Sequence, residues 1–178
     1  MGLCVVASIV YGILHDLVTA HLCVEYFSKF HPDVFGTESP VLLALGWGVI
    51  ATWWMGLILG PIVSAAARSG QLPTFTWRQL IKPLAVVLGF SYVCAAIGGL
   101  VGYFVVKTPP AWVFRMGANM DGVRFTPEKA RLFTADLFAH NTSYTVSTLG
   151  ALSMCVWLIV RRVRLGSEAR LAEQGYQI

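Results

Sequence analysis

Four side chains in one apolar stretch could do chemistry. In YGILHDLVTAHLCVEYFSKFH, Tyr11 to His31, the ionisable residues His15, Asp16, His21 and Glu25 interrupt a run that is otherwise largely hydrophobic. A second apolar stretch, nearer the C-terminus, carries Asp136 and His140 at the same four-residue separation as His21 and Glu25. Imidazole and carboxylate ligands together suit iron, zinc or manganese, and the same groups take up and release protons. Inside a bilayer such groups are costly, and they mark ion pathways, proton relays or ligand sites.

The elements that must position them are set by composition. Hydrophobic residues make up 56% of the 178-residue chain, charged residues 12%, and the mean hydropathy is +0.67. That leaves too little polar surface for a soluble globule and marks an integral membrane protein. Four apolar segments, about 3–30, 41–67, 84–106 and 127–160, each reach the roughly 20 residues that span a bilayer. The first lacks the basic n-region and small-residue cleavage site of a secretory leader, so it is expected to be a retained helix. His31-Pro32 should end it, and Thr126-Pro127-Glu128 reads as the start of the fourth helix, with a cap, a first-turn proline and an acid that complements the dipole. Residues 107–126 form the longest connection, expected outside, and 161–178 a polar C-terminal tail. The expected fold is a single all-α membrane domain, a four-transmembrane-helix antiparallel bundle with both termini on the same side. Gly56 with Gly60 and Gly98 with Gly102 form GxxxG pairs, which mark close helix packing.

Helical spacing then sorts the polar residues onto faces. Ser8, Tyr11, His15, Thr19 and Tyr26 form one stripe on the first span, with Asp16 and Glu25 on its flanks. Asp136, His140, Ser143 and Ser147 form a second stripe on the fourth. Lipid cannot satisfy their hydrogen bonds, so the two stripes should face each other. A rise of about 1.5 Å per residue places His21 roughly 27 Å and His140 roughly 30 Å from the inner surface, with Glu25 and Asp136 level with one another. His21, Glu25, Asp136 and His140 are therefore expected to converge as a site for a divalent transition metal or haem. His15 and Asp16, with Thr19 beside them, lie nearest the bilayer middle, where a charged carboxylate costs about 2.5 to 3.5 kcal/mol. They are the candidates for a proton or ion relay. Buried His and Asp also serve as plain interhelical hydrogen bonds, and this structural role fits the same residues.

Charge distribution narrows the remaining classes. The net charge of +4 resides in short basic groups beside apolar runs, without the interleaved aromatics of a nucleic-acid surface, so no nucleic-acid partner is expected. Arg68, Arg78, Lys82, Arg161, Arg162, Arg164 and Arg170 fall on one side and Lys29, Lys107, Arg115, Arg124, Lys129 and Arg131 on the other. Arg68 and the Arg161–Arg164 group abut spans without neighbouring acids, which orients the termini toward the cytoplasm. Cys4, Cys23, Cys94 and Cys155 all lie in apolar segments without a CxxC pair, as expected of packing residues. No Walker, Ser-His-Asp or HExxH pattern is present, which disfavours nucleotide-driven and hydrolytic chemistry. The leading expectation is a non-enzymatic subunit or accessory of a membrane assembly, held in the lipid bilayer with a protein partner or a second copy. Proton or ion transport through Asp16 and His15, and metal or haem redox chemistry at the four-residue set, are the alternatives.

The run YGILHDLVTAHLCVEYFSKFHPDVFGTESP, followed by LLALGWGVIATWW, resembles a group of small multi-pass bacterial membrane proteins of no assigned activity. The resemblance covers the first third of the chain and assigns no catalytic residue. It implies a location in the bacterial inner membrane.

Overall fold

The computed structural model describes residues 1–117 and 119–175. Regular structure among them is helical throughout: α1 (Gly2–Leu22), α2 (Pro40–Ile50), α3 (Trp53–Arg68), α4 (Trp77–Val101), the single turn α5 (Val113–Met116) and α6 (Pro127–Glu173). Two π-helical turns, Tyr26–Phe30 and Gly102–Val106, follow α1 and α4. Four stretches are long and apolar enough to cross a membrane: Gly2–Leu22, Pro40–Arg68, Trp77–Val106 and Pro127–Glu173. Along α1 the exposed residues Val6, Val10, Leu14 and Val18 repeat every fourth position, and Val86, Phe90, Val93, Ile97 and Leu100 recur at alternating four- and three-residue steps on α4. Apolar surface this continuous belongs against lipid or a partner, not water. This is a membrane protein.

Four boundaries differ from the spacing-based expectation, the third span among them: it begins not at residue 84 but at Trp77, where the Gln79 side chain accepts from the Thr76 amide. The first helix stops at Leu22 instead of running to residue 30, because Cys23 is extended (φ −147°, ψ 92°). The π-turn that follows buries Tyr26 and Phe27 among Ala20, Leu43, Phe133 and Leu137. The second span is broken at Ala51–Thr52, where the Thr52 hydroxyl donates to the Gly48 carbonyl and competes with the helical ladder. The fourth helix continues 13 residues past residue 160, to Glu173, since leucine, alanine, arginine and glutamate in the tail are strong helix formers. Its start is as expected, with the Thr126 side chain accepting from the Lys129 amide at 3.2 Å.

From the π-turn, Lys29 reaches forward to pair with Glu38 at 2.8 Å on the surface. This hydrogen bond and the pair's mutual charge raise the lysine and lower the carboxyl from their ordinary values. His31 donates from Nδ1 to the Tyr26 carbonyl at 2.8 Å and packs its ring 4.8 Å from that of Trp47. Burial there pushes its imidazole below the ordinary range, and the carbonyl contact only partly offsets this.

Glycines set how closely the spans approach. A Cβ on Gly48 would sit 2.6 Å from the Ile13 backbone, and one on Gly56 2.5 Å from the Val5 Cα. At Gly60 the nearest atoms, those of Met1, are 3.3 Å away. On α4, Gly98 abuts the Thr142 side chain, and a Cβ on Gly102 would meet the Thr134 carbonyl oxygen at 2.5 Å. Gly56→Ala is therefore expected to lower unfolding free energy by about 1–3 kcal/mol, since backbone cannot yield as a flexible side chain does. Gly60→Ala should cost clearly less. Denaturant titration of the two purified variants checks the order, and equal losses would contradict it.

Candidate functional site

The polar stripes of α1 and α6 meet. Tyr11 Oη lies 2.8 Å from Ser143 Oγ and 3.2 Å from Ser91 Oγ, which brings α4 into the same junction. One turn further along α1, Asp16 Oδ1 lies 3.3 Å from His140 Nε2. The His15 ring meets that of His140 edge-on, 4.6 Å between centroids. Ligand atoms of His15, Asp16 and His140 all fall within 4.8 Å of one another, with His15 and Asp16 buried and His140 half-buried. The arrangement follows from helical phase: His15 and Asp16 both flank the line facing α6, and Ser143 comes three residues after His140 on the matching face.

The hydrogen bonding of His140 defines the chemistry. Its Nδ1 is 2.8 Å from the Asp136 carbonyl, an acceptor, so Nδ1 must carry a proton. In the neutral ring Nε2 then presents a lone pair, and it faces a carboxylate oxygen. Two lone pairs at 3.3 Å repel unless a proton or a cation lies between them. At this distance the pair is stable with one proton, carried on the carboxyl or on the imidazole.

The structure assembles a different set from the one expected for a metal. His21 is exposed, and its Nδ1 lies 2.6 Å from the Leu17 carbonyl. Glu25 pairs with Lys129 and accepts from the Cys23 thiol. Neither joins His140, and Asp136 contributes its backbone carbonyl, not its carboxylate, to the histidine. Depth alone placed His21 level with His140, but at about 100° per residue it lies some 140° around the helix from Asp16. The break at Cys23 then redirects Glu25. Thr19 is buried, and its hydroxyl donates to the His15 carbonyl at 3.2 Å, so it braces α1 one turn past the cluster.

Three buried polar atoms of these stripes have no hydrogen-bond partner among the described residues: His15 Nε2 and both carboxylate oxygens of Asp136. A narrow cavity of about 60 Å³ runs from Cys4 and Val63 to His15, Asp16 and His140, past Tyr11, Ser143 and Tyr144. It has room for a few waters, and polar groups to hold them.

Two functional side chains escape a reading of the sequence. Ser91 lies on the span that reads as pure packing; the adjacent Ser91-Tyr92, the only polar pair between Lys82 and Lys107, is the signal that could have found it. Arg162 reads as one of three orienting charges, yet it is buried. Its guanidinium donates to the carbonyls of Pro73 (2.7 Å), Ala66 (2.9 Å), Ser69 (2.7 Å) and Leu72 (3.1 Å). Nothing in its spacing separates it from Arg161 and Arg164. Comparison of the chain with protein-family models, with curated proteins and with solved structures found no match.

Proposed function

We propose that this protein is a bacterial inner-membrane proton relay, an antiparallel four-helix bundle with both termini cytoplasmic. The order of contacts supports the antiparallel arrangement: Gly48, Gly56 and Gly60 advance along the second span as their neighbours Ile13, Val5 and Met1 recede along the first. The Arg68 and Arg161–Arg164 groups support the orientation.

The single observation that carries the relay is the Asp16–His140 contact, in which a proton is required between Oδ1 and Nε2. It moves from the carboxyl of Asp16 to Nε2, giving an imidazolium whose Nδ1–H remains on the Asp136 carbonyl; net transfer follows when the imidazolium releases its proton toward the outer end and Asp16 takes up the next one from the cavity on the cytoplasmic side. The cavity beside Tyr11 and Ser143 has room for the waters that would connect the pair to the cytoplasmic end. In proteoliposomes with an entrapped pH dye, a potential should drive acidification with the wild-type chain. Asp16→Asn and His140→Gln should fall to the rate of empty vesicles, and unchanged flux in Asp16→Asn would sink the relay.

A metal-holding reading has its own observation. The 3.3 Å separation is roughly what two ligands have when each lies about 2.0–2.1 Å from a shared tetrahedral ion, with His15 as third ligand. Stoichiometric zinc, iron or manganese in purified wild type that is lost in His15→Ala would favour it over the relay. The accessory-subunit reading rests on α4, whose only buried residues are Ser91 and Ala95 and whose outward face is free for lipid or a partner helix. A protein that co-purifies and is lost with Phe90→Ser would support that reading.

A further inference from the structure

Asp136 is the buried charge that the relay leaves unused. It is fully enclosed, both of its oxygens lack a partner among the described residues, and Lys129, two turns before it, is engaged by Glu25. Asp136 and His15 border a second space, a groove of about 450 Å³ between α1, α4 and α6, which adjoins the cavity at Asp16 and His140 through His15. Its volume lies in the range of small-molecule sites, roughly 300–1,000 Å³.

Three properties of this groove specify an occupant. Its rim is formed by Val18, Leu22, Leu100 and Phe104, all exposed on the lipid-facing surface, so entry is sideways from the bilayer. Tyr92, Tyr103 and Phe104 supply aromatic faces, with Tyr92 set edge-on to the rings of Tyr11 and His15 at 6.2 and 6.3 Å. Its polar end is the enclosed carboxyl of Asp136, whose two oxygens have no hydrogen-bond partner among the described residues and which an adjacent cation would favour in its ionised form. An inorganic ion would need several oxygen or nitrogen ligands, and the walls are mostly apolar. A carboxylate beyond aromatic faces suits a positive charge carried on a hydrophobic body.

We propose that the groove binds a lipid-soluble organic cation, with the positive charge against Asp136 and the apolar body between α1 and α4. This does not depend on the relay, because Asp16 and His140 lie outside the groove. A cation seated there neutralises the buried carboxylate without exposing it to water.

The test uses the full chain in detergent micelles and tetraphenylphosphonium as the probe, followed by equilibrium dialysis. Saturable binding of one cation per chain is expected, weakened at least about tenfold in Asp136→Asn through loss of the buried charge. Ala96→Trp, which fills the groove from an exposed position and leaves the carboxylate in place, should abolish binding. It decides the matter if Asp136→Asn fails to fold. Asp16→Asn should bind as the wild type does while losing proton flux, which separates this site from the relay. Absence of saturable binding to the wild type, undiminished binding by Ala96→Trp, or equal binding of neutral triphenylphosphine oxide would each overturn the proposal.

Discussion

Arg162→Ala is expected to be the most damaging single substitution in the chain, lowering unfolding free energy by about 3–5 kcal/mol, the loss seen when one side of a buried charged contact is removed. The guanidinium is only 2% exposed and pairs with no carboxylate among the described residues; its charge is met by four carbonyl dipoles from the end of α3 and the loop that leads to α4. Removing it leaves those acceptors facing apolar neighbours such as Ala66 and Leu158, where an unpaired polar group costs about 1–3 kcal/mol. Arg162→Lys keeps the charge but cannot reproduce a planar fork reaching four oxygens, so it should fall between alanine and wild type. Arg161→Ala and Arg164→Ala, on exposed neighbours, serve as controls and should change little. Denaturant titration in micelles reads all four, and an Arg162→Ala midpoint equal to that of Arg161→Ala would refute the assignment.

Asp136→Leu should act in the opposite direction and stabilise the chain by about 1–3 kcal/mol. Both carboxylate oxygens are buried without partners, and replacing an unsatisfied polar group with an apolar one of similar size removes its desolvation cost. The neighbours are suited to leucine, since Leu132, Ala135 and Ala139 lie along the same groove. A residue that destabilises the protein in which it is found is expected at a working site, where local stability is given up for function. The same variant should lose tetraphenylphosphonium binding. A stability loss on Asp136→Leu would mean that the carboxylate has a structural partner and would count against an open site there.

The four spans are legible in the sequence because hydropathy over some twenty residues is a strong signal, and the contact between α1 and α6 is legible because polar groups in lipid have few places to go. That His15, Asp16 and His140 line that contact follows from it; that Asp16 meets His140 does not, since the spacing names no partner for Asp16. The pairing of His21 with His140 does not, because depth along two helices fixes one coordinate and azimuth another, and the extended Cys23 alters both beyond Leu22. No propensity marks Cys23 as a break, since its neighbours Leu22 and Val24 are ordinary span residues. Nor does composition separate Arg162 from Arg161: burial at that position depends on where the carbonyls of residues 66–73 come to rest, which is a tertiary fact.

The length of α6 gives Arg162 a second meaning. Forty-seven residues in one unbroken helix make a rod of about 70 Å, more than twice the roughly 30 Å of a hydrocarbon core. His140 and Arg162 lie about 33 Å apart on it and, at about 100° per residue, within some 40° of the same bearing. A stiff shaft turns as one piece. The arginine, locked into the loop between α3 and α4, therefore acts as a key in a slot: by fixing the angle of the rod at one end, it sets which way the imidazole points at the other.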